Sequence, residues 1–295
     1  MDKPVVVVMM STYNGERHLV EQIESILNQE GVDVRLMIRD DGSNDKTVEI
    51  ARKYTDDVVV GDNIGFRYSF LELIKNAPEA EYYALADQDD IWLPEKLKWA
   101  VDSMEGANTN IPVLYASSRK NYVNGKIEEA SELHEYKQTT FNGFDNGYHL
   151  QGCTMVFNYK LKSLLSEYFP KKLITCHDVW IHQLCKALDG YIIYDKRPSI
   201  LYRLECNTIG VPRYPVINRI KSLFINENRD SDIENLVRNI YEGFEKNIPL
   251  DNKRVCLELM NYRRNVIQVL FNPIYYQGRF AINLYRFFSF LLKKA

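Results

Sequence analysis

The sequence has no paired cysteine motif and no strong charge of one sign, and both absences exclude classes of protein. Its 295 residues carry a formal net charge of −3, so composition gives no indication of nucleic-acid binding. The five cysteines are widely spaced and form no C-x-x-C pair, which argues against a structural zinc site or a disulfide framework. A reducing, cytoplasmic setting without a nucleic-acid partner is therefore expected.

Long hydrophobic runs are also absent. Residues 5–10 have the length of one strand and follow no positively charged leader region, so they do not resemble a secretory signal. The apolar segment at 280–292 is too short to span a bilayer and is interrupted by Asn283 and Arg286. The sequence therefore predicts a cytoplasmic protein that is at most peripheral on the inner face of a membrane.

Glycine is scarce where a phosphate-binding loop would need it. Only Gly15 follows the first predicted strand closely, and no G-x-G-x-x-G pattern occurs there. This argues against a nicotinamide dehydrogenase and against a sugar-nucleotide pyrophosphorylase.

Apolar runs and helical patterns alternate over the first hundred residues. The runs predict buried strands at 5–10, 34–38, 58–60 and 82–86, with helices between them. This rhythm predicts an α/β fold with a doubly wound, mainly parallel sheet. Shorter patterns predict further strands at 113–117, 153–158, 191–193 and 199–202, and helices at 160–168, at 178–188 and beyond 215.

Acidic residues crowd the end of the fourth predicted strand, where Asp87, Asp89 and Asp90 fall within four residues. Closely packed carboxylates raise the free energy of ionising one another unless a cation offsets their charge. Carboxylate oxygens are ligands that suit Mg²⁺ or Mn²⁺. The alternative interpretation is a solvated acidic turn that caps the next helix.

Polar residues also follow the first two predicted strands. Ser11, Thr12, Tyr13 and Asn14 offer hydroxyl, aromatic and backbone groups to a nucleotide, and Asp41 offers an acceptor to a pyrimidine N–H. Taken singly, each motif is equally typical of a turn or a helix cap. Ligands bind outside the carboxyl ends of strands in doubly wound sheets, so we expect these segments to form one cleft.

A further acid, Asp178, lies where a later helix is predicted to begin. It is a candidate general base for a displacement at a sugar carbon. The alternative is an N-cap that satisfies the amides of the first helical turn. The neighbouring His177 and His182 are candidate ligands, although a histidine beside a helix is more often structural.

Seven motifs carry a family resemblance. They are Ser-Thr-Tyr-Asn-Gly at 11–15, Ile-Arg-Asp-Asp-Gly-Ser at 38–43, Asn-Ile-Gly-Phe at 63–66, Asp-Gln-Asp-Asp-Ile-Trp at 87–92, Gly-Cys-Thr-Met at 152–155, His-Asp-Val-Trp at 177–180 and Leu-Tyr-Arg at 201–203. In this order and spacing the chain, over residues 4–210, resembles the inverting family 2 glycosyltransferases of the GT-A fold, particularly bacterial rhamnosyltransferase-like members that build surface polysaccharides.

The resemblance implies a role for each matching residue. Asp178 falls on the position of the catalytic base, and Asp89 with Asp87 forms the D-x-D element that ligates Mn²⁺ or Mg²⁺. The residues implied to bind the nucleotide sugar are Ser11, Thr12, Tyr13, Asn14, Asp41, Asn63, Asp87, Gln88, Gln151 and Gly152.

One segment departs from the family pattern. Members commonly follow Tyr-Arg with a Gln-His-Gly-Asn-like run, but here Leu204 and Glu205 follow Tyr202 and Arg203. Either Glu205 replaces the histidine as a metal ligand, or the loop closes differently.

The resemblance implies a GT-A domain over 1–210, with its nucleotide-binding half at 1–110 and its acceptor half at 111–210, and a helical region over 211–295. The expected reaction moves a sugar from dTDP-rhamnose or a UDP-hexose to a surface-polysaccharide or lipid-linked glycan acceptor. A catalytically silent sugar-nucleotide-binding or scaffold subunit is the alternative.

The last part of the chain is basic. It could contact anionic lipid, pack on the catalytic domain, or join two copies in a homodimer. The basic residues are Arg263, Arg264, Arg279, Arg286, Lys293 and Lys294.

Overall fold

In this computed structural model of the chain, the described residues are 3–129, 141, 150–204 and 229–261. Strands and helices alternate over the first part. In chain order these elements are β1 (Val5–Thr12), α1 (Leu19–Leu27), β2 (Asp33–Asp40), α2 (Thr47–Ala51), β3 (Val58–Val60), α3 (Phe66–Asn76), β4 (Tyr82–Ala86), β5 (Ile91–Trp92) and α4 (Lys96–Met104). The four strands predicted here are confirmed, whereas the two-residue β5 was not predicted.

The later elements are less regular. They are β6 (Val113–Val123), β7 (Lys126–Glu129), a 3-10 turn (Gly152–Thr154), β8 (Val156–Asn158), α5 (Tyr159–Glu167), α6 (His177–Ala187), β9 (Tyr191–Arg203), α7 (Arg229–Phe244) and α8 (Leu250–Leu259). None of the helices in the described ranges combines the length and the apolar character that crossing a membrane requires.

Two strand predictions were wrong. The segment predicted as one strand at 153–158 begins with the 3-10 turn, and only Val156–Asn158 is strand. The strands predicted at 191–193 and 199–202 are parts of one strand, β9, because β9 follows β6 in parallel from the Val113 and Tyr191 pair to the Tyr122 and Arg203 pair. A register shift beside Ser117 lets the pairing continue through the interruption.

The described strands form one sheet in the order β3-β2-β1-β4-β8-β6-β9-β5, with β7 paired to β6. The strands β3, β2, β1 and β4 are mutually parallel, and β8 joins them antiparallel to the second half, where β6 and β9 are parallel. The α/β architecture is therefore confirmed. The carboxyl ends of β1, β2 and β4 share one edge, where the predicted site lies.

The apolar run of β1 is buried on both faces of the sheet. Val7 and Met9 belong to a core with α3 and α6, while Val8 and Met10 belong to a second core with α1 and α4. Burial of each such side chain contributes roughly 1.5–3 kcal/mol. Because both faces are buried, the sequence of β1 is a continuous apolar run and does not alternate with polar residues. The same packing fixes the position of the strand end that carries the site.

Candidate active site

The loops after β1 and β2 are joined by hydrogen bonds. Asn14 adopts a left-handed backbone (φ 48°), its N–H donates to Ser43 Oγ at 2.8 Å, and its side-chain oxygen accepts from the Asn44 N–H at 2.9 Å. The Gly15 N–H donates to Thr47 Oγ1 at 2.8 Å. The structure therefore brings together two of the three predicted segments.

The third segment joins them through Gln88. Its side-chain oxygen accepts from the Tyr13 N–H at 2.8 Å, and its side-chain nitrogen donates to the Tyr13 carbonyl at 3.1 Å. A Cβ at Gly15 would lie 2.3 Å from the same Gln88 oxygen, so only glycine permits this approach. The Tyr13 side chain is 45% exposed, so its ring can stack against a ligand.

Thr12 differs from its prediction as a nucleotide contact. Its side chain is buried, and its hydroxyl donates to Asp40 Oδ1 at 2.8 Å. The other Asp40 oxygen accepts from the Gly42 and Ser43 N–H groups at 3.1 and 2.7 Å. Thr12 therefore shapes the loop after β2 and does not offer its hydroxyl to a nucleotide.

Asp41 lies buried at the end of β2 and holds the loop before α3. Its carboxylate accepts from Arg39 at 2.5 Å and from the Ile64 and Gly65 N–H groups at 3.0 and 2.8 Å. A carboxylate offers about four acceptor positions, which leaves one for a ligand. Asn63 is exposed beside it.

Ser11 is tied to the same region. Its Oγ lies 2.6 Å from Ser69 Oγ, and Ser69 also accepts from Arg39 at 3.1 Å. The predicted residues at the ends of β1 and β2 therefore meet around one buried network.

The acidic loop after β4 contains a compact cluster. Asp87, Asp90 and Cys153 each place a ligand atom within 4.8 Å of the others. Burial, followed by the charges of Asp89 and Asp178, raises the pKa of Asp87 to about 7, and burial beside Asp87 raises the pKa of Asp90 well above its usual value. This loop can therefore hold a cation or a proton. Of the predicted metal ligands, Asp87 belongs to this cluster, whereas Asp89 does not. Cys153 was not predicted to join the acids, although it lies in the motif at 152–155, because nothing in the sequence places that motif beside the loop after β4.

The end of β9 is bound to this acidic loop. The Arg203 N–H donates to Asp90 Oδ1 at 3.1 Å, its Nε donates to the Asp89 carbonyl at 2.7 Å, and its outer nitrogen pairs with Glu21 at 2.5 Å. The chain therefore leaves β9 next to the acids. Glu205, a predicted metal ligand, lies outside the described residues.

Lys96 is a buried cation that the sequence did not reveal. Its side chain is fully buried, its Nζ has no hydrogen-bond partner in the described structure, and it lies 3.9 Å from the centre of the Trp92 ring. Burial lowers the pKa of Lys96 to about 7, while the neighbouring Cys153 and Asp90 oppose that shift. A lysine in an early helical turn is ordinarily exposed, so nothing in the local sequence predicted that Lys96 is buried.

Asp178 lies in the first turn of α6 but is not its N-cap. The cap is Cys176, which has an extended backbone (φ −155°), whereas Asp178 is the second helical residue and accepts from the Val179 N–H at 2.7 Å. Asp178 is therefore not the N-cap, but its carboxylate does satisfy one amide of the first helical turn, as the alternative interpretation expected. Asp178 is 6% exposed, and its charge is one of the causes that raise the pKa of Asp87.

The 3-10 turn brings Gly152 against α6. A Cβ at Gly152 would lie 2.4 Å from His177 Nε2, and the His177 ring stacks on Phe70 with centroids 4.1 Å apart. Gln151 is half-buried at the start of this turn. In the described ranges neither His177 nor His182 joins a group of three or more metal-ligating side chains.

A cavity of about 820 Å³ lies elsewhere. Its lining includes the first residues of β1, β4 and β6, namely Val5, Tyr82 and Val113. These are the amino ends of the strands, at the edge opposite the polar cluster. This cavity is therefore not the predicted site, which is identified by its polar and acidic side chains.

Comparisons with known proteins point to one family. The model of the family described as "Glycosyl transferase family 2" matches residues 7–165. The dTDP-rhamnosyl transferase RfbG of Shigella flexneri is 31% identical over 222 residues, which cover 68% of this chain and 73% of that protein. An uncharacterized glycosyltransferase of Methanocaldococcus jannaschii is 33% identical over 201 residues, which cover 64% of this chain and 67% of that protein.

A solved structure shares the fold. The crystal structure of TarS 1-349 from S. aureus in complex with UDP-GlcNAc superposes with a TM-score of 0.59, at 19% identity, over 93% of this chain and 78% of that chain.

Proposed function

Because this chain belongs to glycosyl transferase family 2, we propose that it transfers a sugar from a nucleotide-diphosphate donor to an acceptor hydroxyl with inversion at the anomeric carbon. The observation that carries this proposal is the acidic cluster after β4, where Asp87 and Asp90 lie together and Gln88 joins the loop after β1. The acids after β4 suit a cation beside a departing diphosphate, and Asp178 on α6 suits a general base.

The donor nucleotide is proposed to lie across those two loops. The exposed ring of Tyr13 offers a face for a base, and Asp41 retains an acceptor position for an N–H of a pyrimidine. The other proposed donor contacts are those that the family resemblance implies. They are Ser11, Asn14, Asn63, Asp87, Gln88, Gln151 and Gly152.

The acidic loop fits a divalent cation. Asp90 Oδ2 is buried without a hydrogen-bond partner in the described structure, and burial with the charges of Asp89 and Asp178 raises the pKa of Asp87, so a cation would stabilise the ionised acids. Asp87 and Asp89 would hold Mn²⁺ or Mg²⁺, with Glu205 as a proposed third ligand. The bound cation would stabilise the charge that develops on the leaving diphosphate.

Asp178 is the proposed general base. Its place in the first turn of α6 favours a negative charge, because the helix N-terminus carries partial positive charge. The carboxylate accepts the proton of the acceptor hydroxyl while that oxygen attacks the anomeric carbon from the face opposite the diphosphate. A single displacement of this kind inverts the configuration.

The proposed donor is dTDP-rhamnose, because the relative that is 31% identical is described as a dTDP-rhamnosyl transferase. A UDP-hexose is the competing donor. The proposed acceptor is a growing surface polysaccharide or a lipid-linked glycan. The basic segment at 263–294, outside the described residues, is proposed to contact the membrane that carries it.

The test is transfer from dTDP-rhamnose, UDP-glucose and UDP-galactose with and without Mn²⁺, with the anomeric configuration of the product read by NMR. We expect Asp178→Asn to lower turnover by about 10²–10⁴-fold, the usual worth of a general base. Asp89→Ala should lower it comparably. Asp102→Asn, an exposed carboxylate on α4, is the matched control. Normal turnover in Asp178→Asn, or a retained configuration, would refute this mechanism.

A further inference from the structure

The cluster of Asp87, Asp90 and Cys153 contains a donor that a magnesium or manganese site does not need. Two of its ligand atoms are carboxylate oxygens and the third is the Cys153 sulfur. The sulfur comes from the 3-10 turn, far from the acids in sequence, and it lies within 4.8 Å of a carboxylate oxygen of each acid. The fold therefore places a soft ligand among hard ones.

We infer that Asp87, Asp90 and Cys153 form a binding site for a thiophilic divalent cation of the zinc group, hereafter the mixed-ligand site. Two carboxylates and one thiolate, with water as the fourth ligand, are a donor set that Zn²⁺ and Cd²⁺ accept readily. Oxygen-preferring Mg²⁺ gains little from the sulfur.

The geometry of the cluster is close to that of such a site. Ligand atoms around a tetrahedral zinc ion lie roughly 3.3–3.8 Å from one another, given metal–ligand distances of about 2.0–2.3 Å. The three ligand atoms here lie within 4.8 Å of each other, so closing on an ion requires movements of about 1 Å. Asp87 is only half-buried, which gives the ion a route of entry from the cleft.

An independent observation at Asp90 also points to a ligand. Its side chain is 1% exposed, and its Oδ2 has no hydrogen-bond partner in the described structure. Buried polar atoms are almost always satisfied, so an atom of this kind in a group of metal ligands marks a position that a cation would fill.

Binding forms a bond between the cation and Cys153 Sγ and releases the thiol proton to solvent. The buried Lys96 beside Cys153 and Asp90 limits the affinity, because like charges repel strongly where the dielectric constant is low. Asp87 is a proposed ligand of this cation and also of the catalytic Mn²⁺ or Mg²⁺, so the two cations compete for it. Zn²⁺ should inhibit sugar transfer and excess Mn²⁺ should relieve the inhibition, a consequence that rests on the proposed function.

The test is titration of the full chain with Cd²⁺ alone, followed by the ultraviolet absorption of the cadmium–thiolate bond. We expect a saturable band that Cys153→Ser abolishes. Cys256→Ser, at a buried cysteine on α8 that is not part of the cluster, should retain it. Asp90→Asn, which preserves side-chain shape, should weaken Cd²⁺ binding at least about tenfold, with circular dichroism confirming that each variant is folded.

A band that persists in Cys153→Ser, or no band in the wild-type chain, overturns the inference. The two proposals fail separately. A chain that binds Cd²⁺ through Cys153 but transfers no sugar supports this site and refutes the proposed function. A chain that transfers sugar and lacks the Cys153-dependent band does the reverse.

Discussion

The side-chain amide of Gln88 pairs with the main chain of Tyr13 through two hydrogen bonds of 2.8 and 3.1 Å. This pairing fixes the loop after β1 to the acidic loop after β4, 75 residues away in sequence. The exposed Tyr13 ring and the neighbouring acids therefore keep a constant separation. Gly15 is part of this arrangement, since its missing Cβ makes room for the Gln88 amide.

Gly15→Ala should separate the two loops without unfolding the chain. Its Cβ would meet the far end of the flexible Gln88 side chain at 2.3 Å, and that side chain can move away at the cost of both hydrogen bonds. Two neutral hydrogen bonds contribute about 1–3 kcal/mol. We therefore expect donor affinity, measured by calorimetry, to fall about tenfold or more.

Gln88→Ala is the matched variant for this prediction. It should weaken the donor by a similar factor, and the double variant should be no weaker than either single one, because both changes remove the same contact. Additive losses would show that Gly15 acts independently of Gln88.

Lys96→Met should stabilise the fold, most strongly at low pH. Burial lowers the pKa of Lys96 from 10.5 to about 7, so its charge destabilises the native state fully below pH 7 and progressively less up to 10.5. The difference corresponds to about 5 kcal/mol, and the contact with Trp92 offsets about 2 kcal/mol of it. We expect a gain of about 2–3 kcal/mol in the free energy of unfolding at pH 6, and less at pH 9, by urea denaturation.

Lys98→Met is the control, because Lys98 is exposed on the same helix and pairs with Asp102. Its effect should stay within about 0.5 kcal/mol. Loss of stability in Lys96→Met would instead mean that Lys96 neutralises an ionised Asp90.

Much of the site could be predicted from the sequence because of where parallel strands end. The continuous apolar runs of β1 and β4 mark strands buried on both faces, and the polar residues after them fall at one edge of the sheet. Positions such as Tyr13 and Asp87 follow from that topology alone. The pairing of β1 with both β2 and β4 brings them together.

The remaining features depend on packing that no local pattern encodes. Cys153 and Lys96 approach Asp90 only because the 3-10 turn, α4 and the loop after β4 pack together. The first turn of α6 was misread for a related reason. Asp178 is the better capping residue by type, but the extended backbone of Cys176 sets the helix start two residues earlier.

Cation binding should release a proton near neutral pH. Burial, with the charges of Asp89 and Asp178, raises the pKa of Asp87 to about 7, and a cation binds the ionised carboxylate. Below pH 7 the cation must displace a proton, so Mn²⁺ affinity should fall by up to about tenfold per pH unit as the pH drops. Calorimetry at pH 6 in buffers of different ionisation enthalpy measures the proton release directly.

Asp87→Asn provides the comparison for that measurement. It should bind Mn²⁺ more weakly and release less proton, because the group that loses the proton is gone. Affinity that is unchanged between pH 8 and pH 6 in the wild-type chain would contradict the raised pKa of Asp87.

Gly152→Ala tests whether the 3-10 turn supports the base or contacts the donor. The added Cβ would lie 2.4 Å from His177 Nε2, and the stacked Phe70 ring limits how far His177 can retreat. The start of α6, which carries Asp178, should shift instead. Misplacement of a reacting group by about 1 Å costs about 10²-fold in rate, so kcat should fall by roughly that factor while the donor Kd stays nearly constant.

The split between kcat and Kd separates two roles for Gly152. A donor contact, the role implied by the family resemblance, would weaken donor binding together with turnover. A positioning role lowers turnover alone, since the atoms nearest to the added methyl group all belong to His177. An unchanged kcat would mean that α6 accommodates the methyl group without moving Asp178. Gly152 would then not be needed to position the base.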